Sequence, residues 1–181
     1  MYKGKTKGFT LIELLVVISI IGFLATLALV SLRDARTKSR DAKRIADLKQ
    51  VNTAIQLFYD QYGRYPMSLG HTCWSGHWGY LQTCLESGTN CGFTTTNFVS
   101  PMAKVPQDPL GGSDPFSQPC NNNTYYYYHC SSGSRYRLLT TLEGVSNAVF
   151  SHDIDGNFYT TDGRCNDASR GYCMGSESWC Y

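Results

Sequence analysis

Gly8-Phe9-Thr10-Leu11-Ile12-Glu13-Leu14-Leu15-Val16-Val17-Ile18 opens an apolar run that continues to Leu32. Across residues 9–32 Glu13 is the only formal charge. At 1.5 Å rise per residue this run makes about 36 Å of helix, more than the ~30 Å hydrocarbon core of a bilayer. It predicts a single membrane pass. A carboxylate in hydrocarbon costs about 2.5–3.5 kcal/mol at a helix centre and less near an end. Such an acid marks a functional position and needs a partner. One partner is the helix N-terminal dipole at headgroup level. The other is a cationic amine from a second chain.

The residues before the run supply that amine. Lys3, Lys5 and Lys7 precede Gly8. A secretory signal peptide is cut after its apolar stretch, behind small residues. Here the Gly8-Phe9 junction precedes the apolar stretch, so cleavage there leaves the stretch on the mature chain. It also bares an α-amino group on Phe9, four residues before Glu13. In a staggered stack of identical helices, Glu13 of one subunit then neutralises the Phe9 amine of the next.

Gly8 through Glu13, with the Leu-Leu-Val-Val-Ile that follows, resembles the type IV prepilin signal shared by pilins and type II secretion pseudopilins. The resemblance covers about residues 3–32 directly, and the helical pattern extends it to about Tyr62. It implies a prepilin peptidase that cuts after Gly8, methylation of the Phe9 amine, and docking of each subunit into a filament through Glu13. Implied partners are identical or related pilin subunits in a helical homopolymer and an inner-membrane assembly platform. The chain departs from the family in one respect. Many pilins have a proline two-thirds along the apolar segment, where Val30 stands here, and no proline precedes Pro66. A break in this helix would fall at Gly22, which weakens a helix by about 1 kcal/mol relative to Ala.

From Arg33 to Tyr62 there is no Gly or Pro. Ile45, Leu48, Ile55, Phe58 and Tyr62 recur at helical spacing and predict an amphipathic continuation of the same helix. Residues 33–49 hold seven basic residues against Asp34, Asp41 and Asp47, read as a solvated or subunit-facing surface. Helix should stop near Gly63, because Tyr65 precedes Pro66 and is pushed out of the α region. Tyr59 to Pro66 resembles the helix exit of pseudopilins.

All eight cysteines follow: Cys73, Cys84, Cys91, Cys120, Cys130, Cys165, Cys173 and Cys180. An even count in a loop-rich segment behind a membrane signal reads as a disulfide framework in an oxidising compartment. It places this head outside the cytoplasm. Eight cysteines allow 105 pairings, and close pairs such as Cys120 with Cys130 suit local loops. Thr124–Cys130 and Arg135–Leu142 read as strands joined by Ser-Ser-Gly-Ser, an antiparallel hairpin. Val145–Ser151 and Asn157–Thr161 are weaker strand candidates. Residues 67–123 read mostly as loop, and Val105-Pro106-Gln107-Asp108-Pro109 resembles the segment leading into the sheet of pseudopilin-like heads.

Candidate chemistry in the head is thin. His71, Cys73, His77 and Cys84 hold zinc-type donors, but their spacing fits no standard finger and disulfides compete for the thiols. Asp153, Asp155, Asn157 and Asp162 form an oxygen-rich loop without the EF-hand pattern, a calcium candidate that resembles family practice. No nucleophile elbow or phosphate loop occurs. The Tyr125–Tyr128 run offers either a glycan-binding face or core. Residues 1–62 hold ten basic and five acidic residues, and residues 63–181 hold six and nine. An acidic head is a poor general nucleic-acid binder.

The sequence therefore predicts an α+β protein. A long N-terminal α-helix, membrane-spanning in its first half, packs on a small antiparallel sheet with disulfide-braced loops. The segments are a leader (1–8), a transmembrane and filament-core helix (9–32), its amphipathic continuation (33–64) and a cysteine-rich head (65–181). The expected function is a structural pilus subunit rather than an enzyme. It would sit single-pass in the cytoplasmic membrane and then in an extracellular or periplasmic filament. A type II secretion pseudopilin or minor tip pilin is the near alternative, and a membrane-anchored extracellular binding module the distant one.

Overall fold

The computed structural model describes residues 8–67, 78–110, 125–130, 133–144, 150, 165 and 171–176. The order of elements is α1 (Leu11–Tyr62), α2 (Trp78–Ser87), β1 (Tyr125–His129), β2 (Tyr136–Thr141) and β3 (Gly171–Gly175). The chain divides into two compact units, Met1–Ser39 and Arg40–Tyr181.

The first unit carries the apolar part of α1. The helix is regular through Gly22, and an 18-residue window within it has a mean hydropathy of 2.7 with none of its surface buried. By length and composition α1 is able to cross a membrane.

In the second unit, the rest of α1 lies along a three-stranded antiparallel meander of order β1-β2-β3. Of the predicted apolar face, Leu48, Ile55 and Phe58 are fully buried and Ile45 and Tyr62 partly so; Val51 and Ala54, outside that prediction, are buried with them. The helix ends at the predicted place. Gly63 has φ +70° and its N–H bonds to Tyr59 O at 2.7 Å, the left-handed C-terminal cap that glycine adopts without a Cβ penalty.

The predicted hairpin is present. Tyr125 pairs with Thr140 and His129 with Tyr136. Side chains alternate across a strand, so the tyrosine run is split between two faces. Tyr125 and Tyr127 join the core beneath α1, with Tyr136, Leu138 and Tyr172. Tyr126 and Tyr128 join a second cluster with Leu139, Cys165 and Cys173. All four tyrosines are buried, which removes them as a glycan-binding face.

Two elements depart from the sequence reading. Residues 78–87, expected as loop, form α2, because Trp78, Leu81, Cys84 and Leu85 recur at helical spacing and are all buried in the core. Strand β3 has no counterpart among the strands the sequence predicts. It pairs with β2 from Arg137↔Gly175 to Thr141↔Gly171. Of the candidate strand 145–151 only Phe150 is described, and it is helical and buried. Candidate strand 157–161 lies outside the described residues.

Candidate assembly site

The helix begins with a reciprocal cap. Thr10 O accepts the first helical bond from Leu14 N at 3.3 Å. Thr10 Oγ1 accepts the Glu13 N–H at 3.3 Å, and Glu13 Oε2 accepts the Thr10 N–H at 2.9 Å and its hydroxyl at 2.6 Å. This is a capping box, Thr at the N-cap and Glu three residues later, which satisfies two orphan donors at once. Thr10-Leu11-Ile12-Glu13 carries this signature in the sequence, whereas the charge of Glu13 taken alone points only to an electrostatic partner.

Behind the cap, every described large apolar side chain from Phe9 to Leu32 is exposed, by 47–81%. Exposure on all sides leaves no polar face, so the segment needs an apolar surround of lipid or other helices. Its hydroxyls are compatible with that surround. Ser19 Oγ donates to Val16 O at 2.8 Å and Thr26 Oγ1 to Phe23 O at 2.7 Å, so both are satisfied within the helix.

In the second unit, the polar face of α1 is partly buried rather than solvated. Arg44 is 2% exposed. Its Nε lies 2.6 Å from Asp108 Oδ2, and its Nη1 lies 3.0 Å from Asp41 Oδ1 and 2.7 Å from Glu143 Oε1. Burial works against the charged guanidinium, but the hydrogen bonds and charges of Asp108 and then Glu143 outweigh it and raise the Arg44 pKa. Arg40 Nε donates to Glu143 Oε1 at 2.8 Å. That bond, against burial and aided by Arg44, holds the Glu143 carboxyl below its ordinary range. Asp41 also accepts the backbone N–H groups of Glu143 (2.9 Å) and Gly144 (2.8 Å). Asp47 accepts the Tyr125 hydroxyl at 2.8 Å. The helix thus grips the 105–110 segment, the turn after β2 and the start of β1. Arg137 is likewise buried, with Nη1 3.9 Å from Cys165 Sγ.

Two disulfides are described, Cys84–Cys91 and Cys165–Cys173. The first ties the end of α2 to the following loop and takes Cys84 out of the zinc candidate set. The second braces β3 beneath the outer tyrosines. Cys130 is also disulfide-bonded. Cys73, Cys120, Cys180, His71, His77 and the calcium candidates Asp153, Asp155, Asn157 and Asp162 lie outside the described residues. Among the described residues no cluster of three metal-type donors occurs.

A capped apolar helix whose described large side chains are all exposed, in one chain with a small disulfide-braced β head, fits a class of subunit with a membrane-anchored precursor. Residues 3–29 match the family model of the prokaryotic N-terminal methylation motif. The chain is 34% identical over 64 residues to the type IV major pilin protein PilA of Myxococcus xanthus, covering 35% of this chain and 29% of that one. It is 35% identical over 66 residues to the type II secretion system core protein G of Aeromonas hydrophila, covering 36% and 46%. To the core protein G of Klebsiella michiganensis it is 33% identical over 122 residues, covering 62% of this chain and 73% of that one. The chain belongs to the family of type IV pilins and type II secretion pseudopilins. It spans less than half the length of the first two relatives. No solved structure matches it significantly.

Proposed function

We propose that this chain is a structural subunit of a type IV pilus-like filament. It inserts by its apolar helix, is cut between Gly8 and Phe9 by a prepilin peptidase, and leaves the membrane by packing that helix among those of its neighbours on an assembly platform. The observation that carries this reading is the apolar run 9–32, interrupted by no charge but Glu13, whose described large side chains are all exposed. Lipid covers that surface before assembly and neighbouring helices cover it afterwards, by packing rather than by an aqueous hydrophobic term. Contacts between unlike patches on identical subunits do not close and build an open helix. Glu13, held by Thr10 in the single chain, exchanges that partner for a neighbour's Phe9 amine and sets the register.

A pseudopilus subunit is the second reading. One observation favours it: the match to the Klebsiella core protein G runs over 122 residues, past the length of α1, while the match to the Myxococcus pilin covers 64. Sheared surface material and the washed envelope, each probed for this chain, separate the two. Filaments in the sheared fraction support the pilus; confinement to the envelope supports the pseudopilus. Recovery of only membrane-bound monomers from both would refute a filament role.

A further inference from the structure

Where the apolar run ends, the helix surface changes sign within one and a half turns. Leu32 is followed by Arg33, Arg36 and Lys38, all exposed, with Asp34 the one acid among them. Among the described residues none of the three basic side chains takes part in an ion pair; the pairs formed by α1 begin at Arg40. Arg33 and Arg36 lie on one side of the helix and Lys38 on another, since a helix turns 100° per residue. The three therefore form a collar rather than a stripe.

The height of the collar matches a headgroup layer. With Phe9 to Glu13 at headgroup level, residues 13–32 span about the ~30 Å hydrocarbon core, and Arg33 to Lys38 rise about 7.5 Å beyond it. A headgroup layer is about 5–7 Å deep on each side of the core. Long basic side chains at such a helix end reach the interface while their alkyl stems stay on apolar surface. The cluster bears a net positive charge at the level of the lipid phosphates, so charge complementarity selects lipids whose headgroups are net anionic over zwitterionic ones.

We propose that Arg33, Arg36 and Lys38 form a binding collar for anionic phospholipid headgroups in the leaflet at the carboxyl end of the span. This rests on the reading that the helix spans a membrane before assembly. The collar holds the unassembled subunit at a fixed depth and concentrates acidic lipid around it. Departure into a filament then requires release of these lipids, so the lipid composition of that leaflet tunes assembly.

The test uses the full chain and its Arg33→Gln/Arg36→Gln/Lys38→Gln variant in phosphatidylcholine vesicles with trace spin-labelled phosphatidylglycerol or phosphatidylcholine. The leader lysines are present in both chains, so their contribution cancels. Alkaline carbonate washing first establishes insertion of both. The wild-type chain is expected to restrict phosphatidylglycerol in preference to phosphatidylcholine. That preference should fall at least about fivefold in the variant, the worth of one such cation near an anionic surface, and should weaken in high salt. Equal preference in the two chains, or none in the wild type, overturns the inference while leaving the membrane reading intact. A variant that keeps its lipid preference but no longer enters filaments assigns the collar to a neighbouring subunit instead. Failure of the wild-type chain to resist the carbonate wash removes both the membrane reading and the collar.

Discussion

Arg44 and Asp108, 64 positions apart, meet in a two-pronged ion pair, with Nε–Oδ2 at 2.6 Å and Nη2–Oδ1 at 3.3 Å. Their side chains are 2% and 0% exposed. Removing one partner of a buried pair leaves the other charged and unsolvated, which costs about 3–5 kcal/mol. Asp108→Ala should therefore lower the unfolding midpoint of the detergent-solubilised chain strongly, and Arg44→Met alone should do the same. The Arg44→Met/Asp108→Leu double variant should recover part of the loss, because it removes the stranded Asp108 charge but leaves Asp41 and Glu143 without the Arg44 guanidinium. Chemical unfolding curves of the four proteins check this.

Acid should weaken the head in two stages. Burial holds the His129 pKa below its ordinary value. The unfolded chain therefore takes up that proton first, and stability falls as pH drops below about 6.5. The Glu143 pKa is also lowered, chiefly by Arg40. Its contribution is complete above the unfolded value of about 4.3 and is lost as pH falls through the folded value. Thermal midpoints between pH 8 and pH 3 should show both declines. His129→Gln should remove the first and Glu143→Gln reduce the second.

Cys84–Cys91 and Cys165–Cys173 close loops with sequence separations of 7 and 8. Loops of that size restrict the unfolded chain by about 2–3 kcal/mol each. A Cys84→Ser/Cys91→Ser variant should unfold earlier by that amount. Non-reducing peptide mapping should recover 84 joined to 91 and 165 to 173.

The cap and the charge of Glu13 can be separated. Glutamine serves in a capping box, so Glu13→Gln keeps the Thr10 geometry and loses only the charge. Thr10→Val loses the cap, at about 1 kcal/mol of helix stability, and keeps the charge. If Glu13 sets register by pairing with an amine, the Gln variant should insert normally but yield about tenfold less filament or lower, the worth of ~1.4 kcal/mol of pairing. Normal filaments from Glu13→Gln would assign Glu13 to the cap alone. Quantitative blotting of sheared material gives the comparison.

The sequence announced the helix and hairpin because both are periodic over long stretches. Leu48, Ile55 and Phe58 mark one helix face, and Gly63 and Pro66 mark its end. The alternation of Tyr125 to Tyr128 divides them between two faces. What stayed hidden lacks local signal. Helix α2 spans ten residues, with Gly79 inside it. Strand β3 is five residues with Gly at both ends. The ion cluster joins α1 to Asp108 and Glu143, and the basic count of residues 33–49 says nothing of acids 64 and 103 positions away. Disulfide pairing was likewise set by tertiary placement. At the amino end, the motif was legible because it is one contiguous stretch, the same stretch that the family model matches over residues 3–29.

The mass of the mature chain from the membrane or filament fraction tests the central claim most directly. The account predicts molecules that begin at Phe9, carry a methyl group on that amine and retain the whole apolar helix. Molecules that still begin at Met1, or that begin beyond Leu32, would contradict it.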